Sequence, residues 1–168
     1  MDLKQSGLGI VEILVFLGFQ LGLLNSLGSV GWLVGVIIFS VILYLIGRTS
    51  MPGREPPMVA ELWKFIVGFA VVLTAVYSLG APLLASIMPA SASMTMAQAT
   101  STALGSWLVI FGAAMLVTGW TTKWGVTTAV GVIWVFNALL FFSGVGSYLD
   151  FGLITGLPFV IYGIITKG

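Results

Sequence analysis

The chain has 168 residues, of which 59% are hydrophobic and only 7% charged, and its mean hydropathy is +1.17. A soluble domain carries about a quarter charged residues to cover its surface, so a soluble fold is excluded. The formal charge of +1, without clustered Lys or Arg, argues against a nucleic-acid partner. The chain contains no Cys and no His, which removes the usual ligands of zinc, haem and iron–sulfur groups, the usual nucleophile–base pairs and any disulfide. Neither a cofactor nor an enzymatic activity is therefore expected.

Six apolar stretches read as six membrane crossings, and that assignment puts all 6 basic residues, Lys4, Arg48, Arg54, Lys64, Lys123 and Lys167, on one side. Cytoplasmic loops accumulate Lys and Arg. The expected protein is a multi-pass component of the cell membrane, with the loop 47–62 and both termini cytoplasmic.

The first crossing is predicted over 9–24 and the second over 32–46, joined by the uncharged turn Asn25-Ser26-Leu27-Gly28-Ser29. Both are near the lower length limit for spanning roughly 30 Å of hydrocarbon, so a single broken or re-entrant element is the alternative. The first stretch is longer than a signal h-region and lacks an Ala-x-Ala-like site, so it is expected to be retained. The linker after Gly47 contains Pro52, Pro56 and Pro57 with Arg54 and Glu55, and cannot continue a membrane helix. Glu61 and Lys64 have the spacing to pair where the third crossing, 63–84, begins.

The stretch from Ser86 to Thr102 is uncharged and reads as an outer loop. Its Met88, Met94 and Met96 are weak copper(I) candidates through soft thioethers, against ordinary hydrophobic contact. The fourth crossing is predicted over 104–119 and the fifth over 126–142. Between them, Trp120 and Trp124 flank Lys123 in the pattern of an interfacial anchor. The last crossing, 149–165, contains Pro158, which frees a carbonyl about one turn earlier, near Ile154; the resulting kink reads as structural, with an exposed backbone acceptor as the alternative. The fold class is an all-α integral membrane protein: six transmembrane helices in one compact bundle, without a soluble domain. Trp32-Leu33-Val34 and Trp107-Leu108-Val109 begin corresponding crossings, but the match ends within one helical turn and establishes no repeat.

Candidate sites are few. Gly18/Gly22, Gly31/Gly35 and Gly152/Gly156 have the spacing that lets helix backbones approach closely, so they read as packing positions, with a substrate-lining role as the alternative. Glu12 is the one acid inside the first crossing, a candidate for gating or proton relay because an intramembrane carboxyl is costly. It lies within a turn of the predicted helix start, where it could instead reach the interface or pair with Lys4 or Lys64. Asp150 has a similar place at the outer end of the last crossing. Gln20, Asn25, Tyr77 and Asn137 are candidates for a pore or polar network, since polar groups in hydrocarbon need partners. Hydrogen bonding between helices is the competing account.

The second half carries Leu104-Gly105-Ser106-Trp107, then Phe111, then Gly119-Trp120-Thr121-Thr122-Lys123, and after an apolar crossing Ser143-Gly144-Val145-Gly146. Together with Leu23-Leu24-Asn25, these residues make the chain resemble the acetate uptake transporters, also called succinate–acetate permeases. The family's Asn-Pro-Ala-Pro-Leu-Gly-Leu entrance motif is reduced here to Leu8-Gly9. The resemblance implies six helices with cytoplasmic termini, assembled as an oligomeric channel. The expected function is a channel or transporter for a small solute such as a monocarboxylate. The alternative is a non-catalytic accessory subunit of a larger membrane complex, of respiratory or monooxygenase type. The expected partners are the lipid bilayer and either further copies of the chain or other membrane subunits.

Overall fold

Hydrocarbon offers no water to backbone N–H and C=O groups, so a chain this apolar satisfies them within helices. The computed structural model describes residues 3–23, 25–28, 30–50, 57–87 and 95–166. Regular structure among them is entirely helical: α1 (Leu3–Gln20), α2 (Val30–Ser50), α3 (Pro57–Ile87), α4 (Met96–Thr122), α5 (Gly125–Phe142) and α6 (Tyr148–Ile165). A single 3-10 turn, Asn25–Leu27, lies between α1 and α2. All 6 helices are long and apolar enough to cross a membrane.

The helices outrun the apolar windows. α1 starts at Leu3 rather than residue 9, because the polar run Lys4-Gln5-Ser6 stays helical and buries Gln5 and Ser6. The Ser6 hydroxyl donates to the Val160 carbonyl at 3.3 Å. α1 also stops earlier than residue 24. Gly22 takes φ 79°, with its N–H on Phe19 and that of Leu23 on Gly18, a Schellman closure. The first two predicted crossings are thus two separate antiparallel helices rather than one long element. Thr95 and Gln98 form a capping box that starts α4 inside the predicted outer loop. Residues 47–50 and 57–62 of the predicted cytoplasmic loop are helical extensions of α2 and α3. Asp150 is likewise a cap: its carboxylate accepts from the Ser147 N–H at 2.9 Å and the Ser147 hydroxyl at 2.6 Å.

Each helix packs on its chain neighbours, and α1 closes the ring against α6. The closest pairs are α1–α6 and α4–α5, both antiparallel. Phe16, Phe39, Phe111, Phe151 and Trp134 fill the centre at 0% exposure. Phe39 of α2 reaches rings of four other helices: Phe16, Phe111, Trp134 and Phe151. Indole donors clip the ring together, Trp63 to Thr118 at 2.8 Å and Trp107 to Thr74 at 2.9 Å. Pro158 lacks the N–H that would bond Ile154, and the Trp134 indole supplies it from α5 at 3.1 Å. The acceptor predicted near Ile154 is therefore satisfied across helices.

Because neighbours alternate in direction, Lys4, Lys64, Lys123 and the backbone of Arg48 lie toward one end of the bundle. Asp150 lies at the other. Arg54 and Lys167 are outside the described residues.

Candidate functional site at the seam of α1 and α6

The buried face of α1 runs Gln5, Ser6, Gly9, Glu12, Phe16 and Phe19, the three- and four-residue steps of one helical stripe. It meets Phe151, Gly152, Thr155 and Gly156 on the buried face of α6. Contact is backbone to backbone at the glycines. A Cβ on Gly9 would lie 2.7 Å from the Gly156 carbonyl oxygen, and one on Gly156 2.6 Å from that of Gly9. Gly152 makes room for the Phe16 side chain, since its Cβ would lie 2.7 Å from that of Phe16.

Glu12 lies in this seam at 0% exposure, and neither carboxyl oxygen has a hydrogen-bond partner among the described residues. Thr155 is the neighbouring hydroxyl. It donates to the Phe151 carbonyl of its own helix at 2.7 Å, and its oxygen keeps lone pairs that can accept a proton from the carboxyl beside it. A carboxylate at the centre of a bilayer costs on the order of 3 kcal/mol or more. The seam therefore holds a group that apolar packing alone would not select.

The location corrects the sequence-based expectation. Glu12 was expected within a turn of the helix start; with α1 beginning at Leu3 it stands roughly 13 Å along the axis, near the middle of the helix. It does not pair with Lys64, whose ammonium bonds Glu61 at 2.6 Å. One turn further along the same face, Phe16 enters the central ring cluster, with centroid distances of 4.7 Å to Phe151 and 5.5 Å to Phe19. Glu12 and the aromatic plug are thus carried by one rigid element.

The other candidates are dispersed. Gln20 is exposed at the end of α1, with its amide oxygen 3.5 Å from the Leu149 N–H. Asn137 is half-buried on α5 and donates to Ile133 of its own helix at 2.8 Å. Tyr77 of α3 is 48% exposed and borders a cavity of about 10 Å³ with Thr74, Ser106, Trp32 and Trp107, roughly one water in size. No hydrogen bond joins these three among the described residues. The side chain of Asn25 is outside the described residues, as are Met88, Met94 and the side chain of Met96.

The glycine pairs divide. Gly152 and Gly156 both lie in the α1–α6 seam. Gly35 abuts the Phe19 and Trp107 rings, where a Cβ would stand at 3.2 and 3.3 Å, and Gly31 is buried at the start of α2. A Cβ on Gly18 would stand 3.3 Å from Leu23 of the following turn, and Gly22 belongs to that turn rather than to a helical face.

Sequence reasoning did not single out Thr155, and named Gly9 only in the Leu8-Gly9 remnant of the entrance motif, not as a helix contact. The available signal was the series Gln5, Gly9, Glu12, Phe16, which is helical in period and polar at one end. It became legible only once α1 was extended back to Leu3. No protein family, no curated protein and no solved structure matches the chain.

Proposed function

We propose that this chain is a cell-membrane channel or transporter for a small solute, in which Glu12 exchanges a proton during the transport cycle. The observation that carries the proposal is the fully buried carboxyl without a hydrogen-bond partner, placed halfway along a helix long enough to cross a bilayer. Ionisable groups at membrane depth mark ion and proton pathways. The glycine contacts of Gly9, Gly152 and Gly156 give α1 a smooth surface on which to shift against α6. Such a shift moves Glu12 and Phe16 together, so a change of charge at the carboxyl is coupled to opening of the aromatic plug. The resemblance to acetate uptake transporters supplies the solute class, a monocarboxylate, and a homo-oligomeric assembly. The gathering of Lys4, Lys64 and Lys123 toward one end supports cytoplasmic termini.

Reconstitution of the purified chain into liposomes tests this. Labelled acetate is expected to enter with a rate that depends on an imposed pH gradient, and Glu12→Gln is expected to abolish that dependence while the variant still elutes as a folded oligomer. Gradient-driven uptake that survives the substitution unchanged refutes the role of Glu12. Orientation is tested separately with Ser50→Cys and Ser91→Cys in this cysteine-free chain. An impermeant thiol reagent applied to intact cells is expected to label only position 91.

The solid aromatic centre favours a second function, that of an accessory subunit packed among other membrane helices. A chain that remains an unstable monomer alone and co-purifies only with other polypeptides is the outcome that selects it.

A further inference from the structure

α5 and α6 are joined less closely than α4 and α5, and an apolar groove of about 560 Å³ opens along them. Its walls include Ala129, Val130 and Ile133 from α5, and Leu157, Pro158 and Ile161 from α6. On α6 the lining runs from Leu153 to Ile165, which at the helical rise is roughly 18 Å. That is close to the depth of one leaflet, about half of the roughly 30 Å hydrocarbon core. A partner helix crossing the bilayer would need a seat about twice as long.

The end of the groove nearest the α4–α5 turn is not apolar. Tyr162 forms part of the wall there, and the Trp124 ring stands edge-on to it at 5.7 Å. Lys123, one residue earlier, is exposed and held at φ 56° as the cap of α4. α5 begins at Gly125 with no side-chain cap on its N-terminus, so its first-turn N–H groups face the same end. A lysine in the α4–α5 turn, the Trp124–Tyr162 ring pair and an uncapped helix start thus lie at the same end of the apolar groove.

We infer that this groove is a binding site for one anionic phospholipid, one of its two acyl chains lying between α5 and α6 and its phosphate at Lys123 and the start of α5. The inference rests on the chain being embedded in a membrane and is independent of any transport role. The bound lipid seals the weakest seam of the ring and places a negative charge at the basic end of the bundle.

Native mass spectrometry of the detergent-purified chain, titrated with phosphatidylglycerol or phosphatidylcholine, tests it. One phosphatidylglycerol is expected to bind with a preference of roughly fivefold or more, about the factor that a single Lys near an anionic surface supplies. Lys123→Gln is expected to remove the preference, and Ala129→Trp, which fills the slot, to remove retention of both lipids. Leu157→Trp serves as a second filler if the first variant loses its helical circular dichroism. Equal retention by wild type and all variants refutes the site, as does a filled groove that dissociates a dimer without changing lipid binding, which would assign the slot to a second copy. A chain that stays monodisperse without detergent sinks the membrane premise itself, a result distinct from either.

Discussion

The α4–α5 and α1–α6 seams use the same device to different ends. In each, glycines bring two antiparallel backbones into contact: Gly112 against Gly131 in one, Gly9 against Gly156 in the other. Lipid supplies no hydrophobic drive between helices, so such close packing is what holds them together. The α4–α5 seam adds the Thr128 backbone against Gly119 and apolar side chains, Leu116 and Val135, against Gly131 and Gly112. The α1–α6 seam adds an unpartnered carboxyl. The first seam thus meets through backbone and apolar contacts at its glycines, whereas the other keeps a titratable group between the helices. A residue that weakens a seam persists for a reason other than the seam, and this is why Glu12 is placed at the centre of the proposed function.

The sharpest way to test the adhesive seam is Gly131→Val. A Cβ at this position would stand 2.8 Å from both the Gly112 carbonyl oxygen and the Leu116 nitrogen, backbone atoms that cannot rotate away. A loss of about 3 kcal/mol is expected in reversible unfolding in micelles. Gly68→Ala, where the added methyl meets nothing within 4 Å, is expected to stay within about 1 kcal/mol of wild type. Similar losses for the two would mean that glycine content, not backbone contact, sets stability.

Glu12→Leu tests the opposite prediction for the other seam. Replacing an unpaired buried carboxyl with an apolar group of similar size is expected to stabilise the fold by about 2 kcal/mol. The same substitution should eliminate gradient-driven uptake. Gain of stability with loss of transport separates Glu12 from every glycine around it. A marked destabilisation would instead reveal a partner for the carboxyl and remove the contrast between the seams.

A smaller effect is expected where α5 meets α6. Trp134→Phe leaves the Ile154 carbonyl without its donor and should cost about 1–2 kcal/mol. Adding Pro158→Ala restores an N–H four residues after Ile154 and should recover most of that loss. Failure of the second substitution to rescue the first would show that Trp134 contributes ring packing, through Phe39 and Phe159, rather than its hydrogen bond.

Much of the architecture was legible before any coordinates. The number of helices followed from apolar runs of membrane length, and the gathering of basic residues toward one end followed from alternating helix directions. The proline-freed carbonyl at Ile154 was predicted from the missing N–H alone. Helix ends were less legible, because capping decides them. The Thr95–Gln98 box extended α4 into a stretch whose composition suggested a loop, and the Gly22 turn shortened α1. The site suffered most from this, since moving the start of α1 from residue 9 back to Leu3 carried Glu12 from near the helix start to mid-helix.

By itself, then, the sequence determined the apolar character of the segments and their helical structure, because hydropathy and backbone hydrogen bonding are local properties of a segment. Which faces meet was decided by the tertiary structure alone. Apolar helices are hydrophobic all round, so no stripe announces the interior, and only complementary shape selects Gly9 for Gly156 or Trp134 for Ile154. The setting of Glu12 has the same origin: its polar neighbours are a matter of what the fold brings near, and here it brings the Thr155 hydroxyl, which itself donates to Phe151.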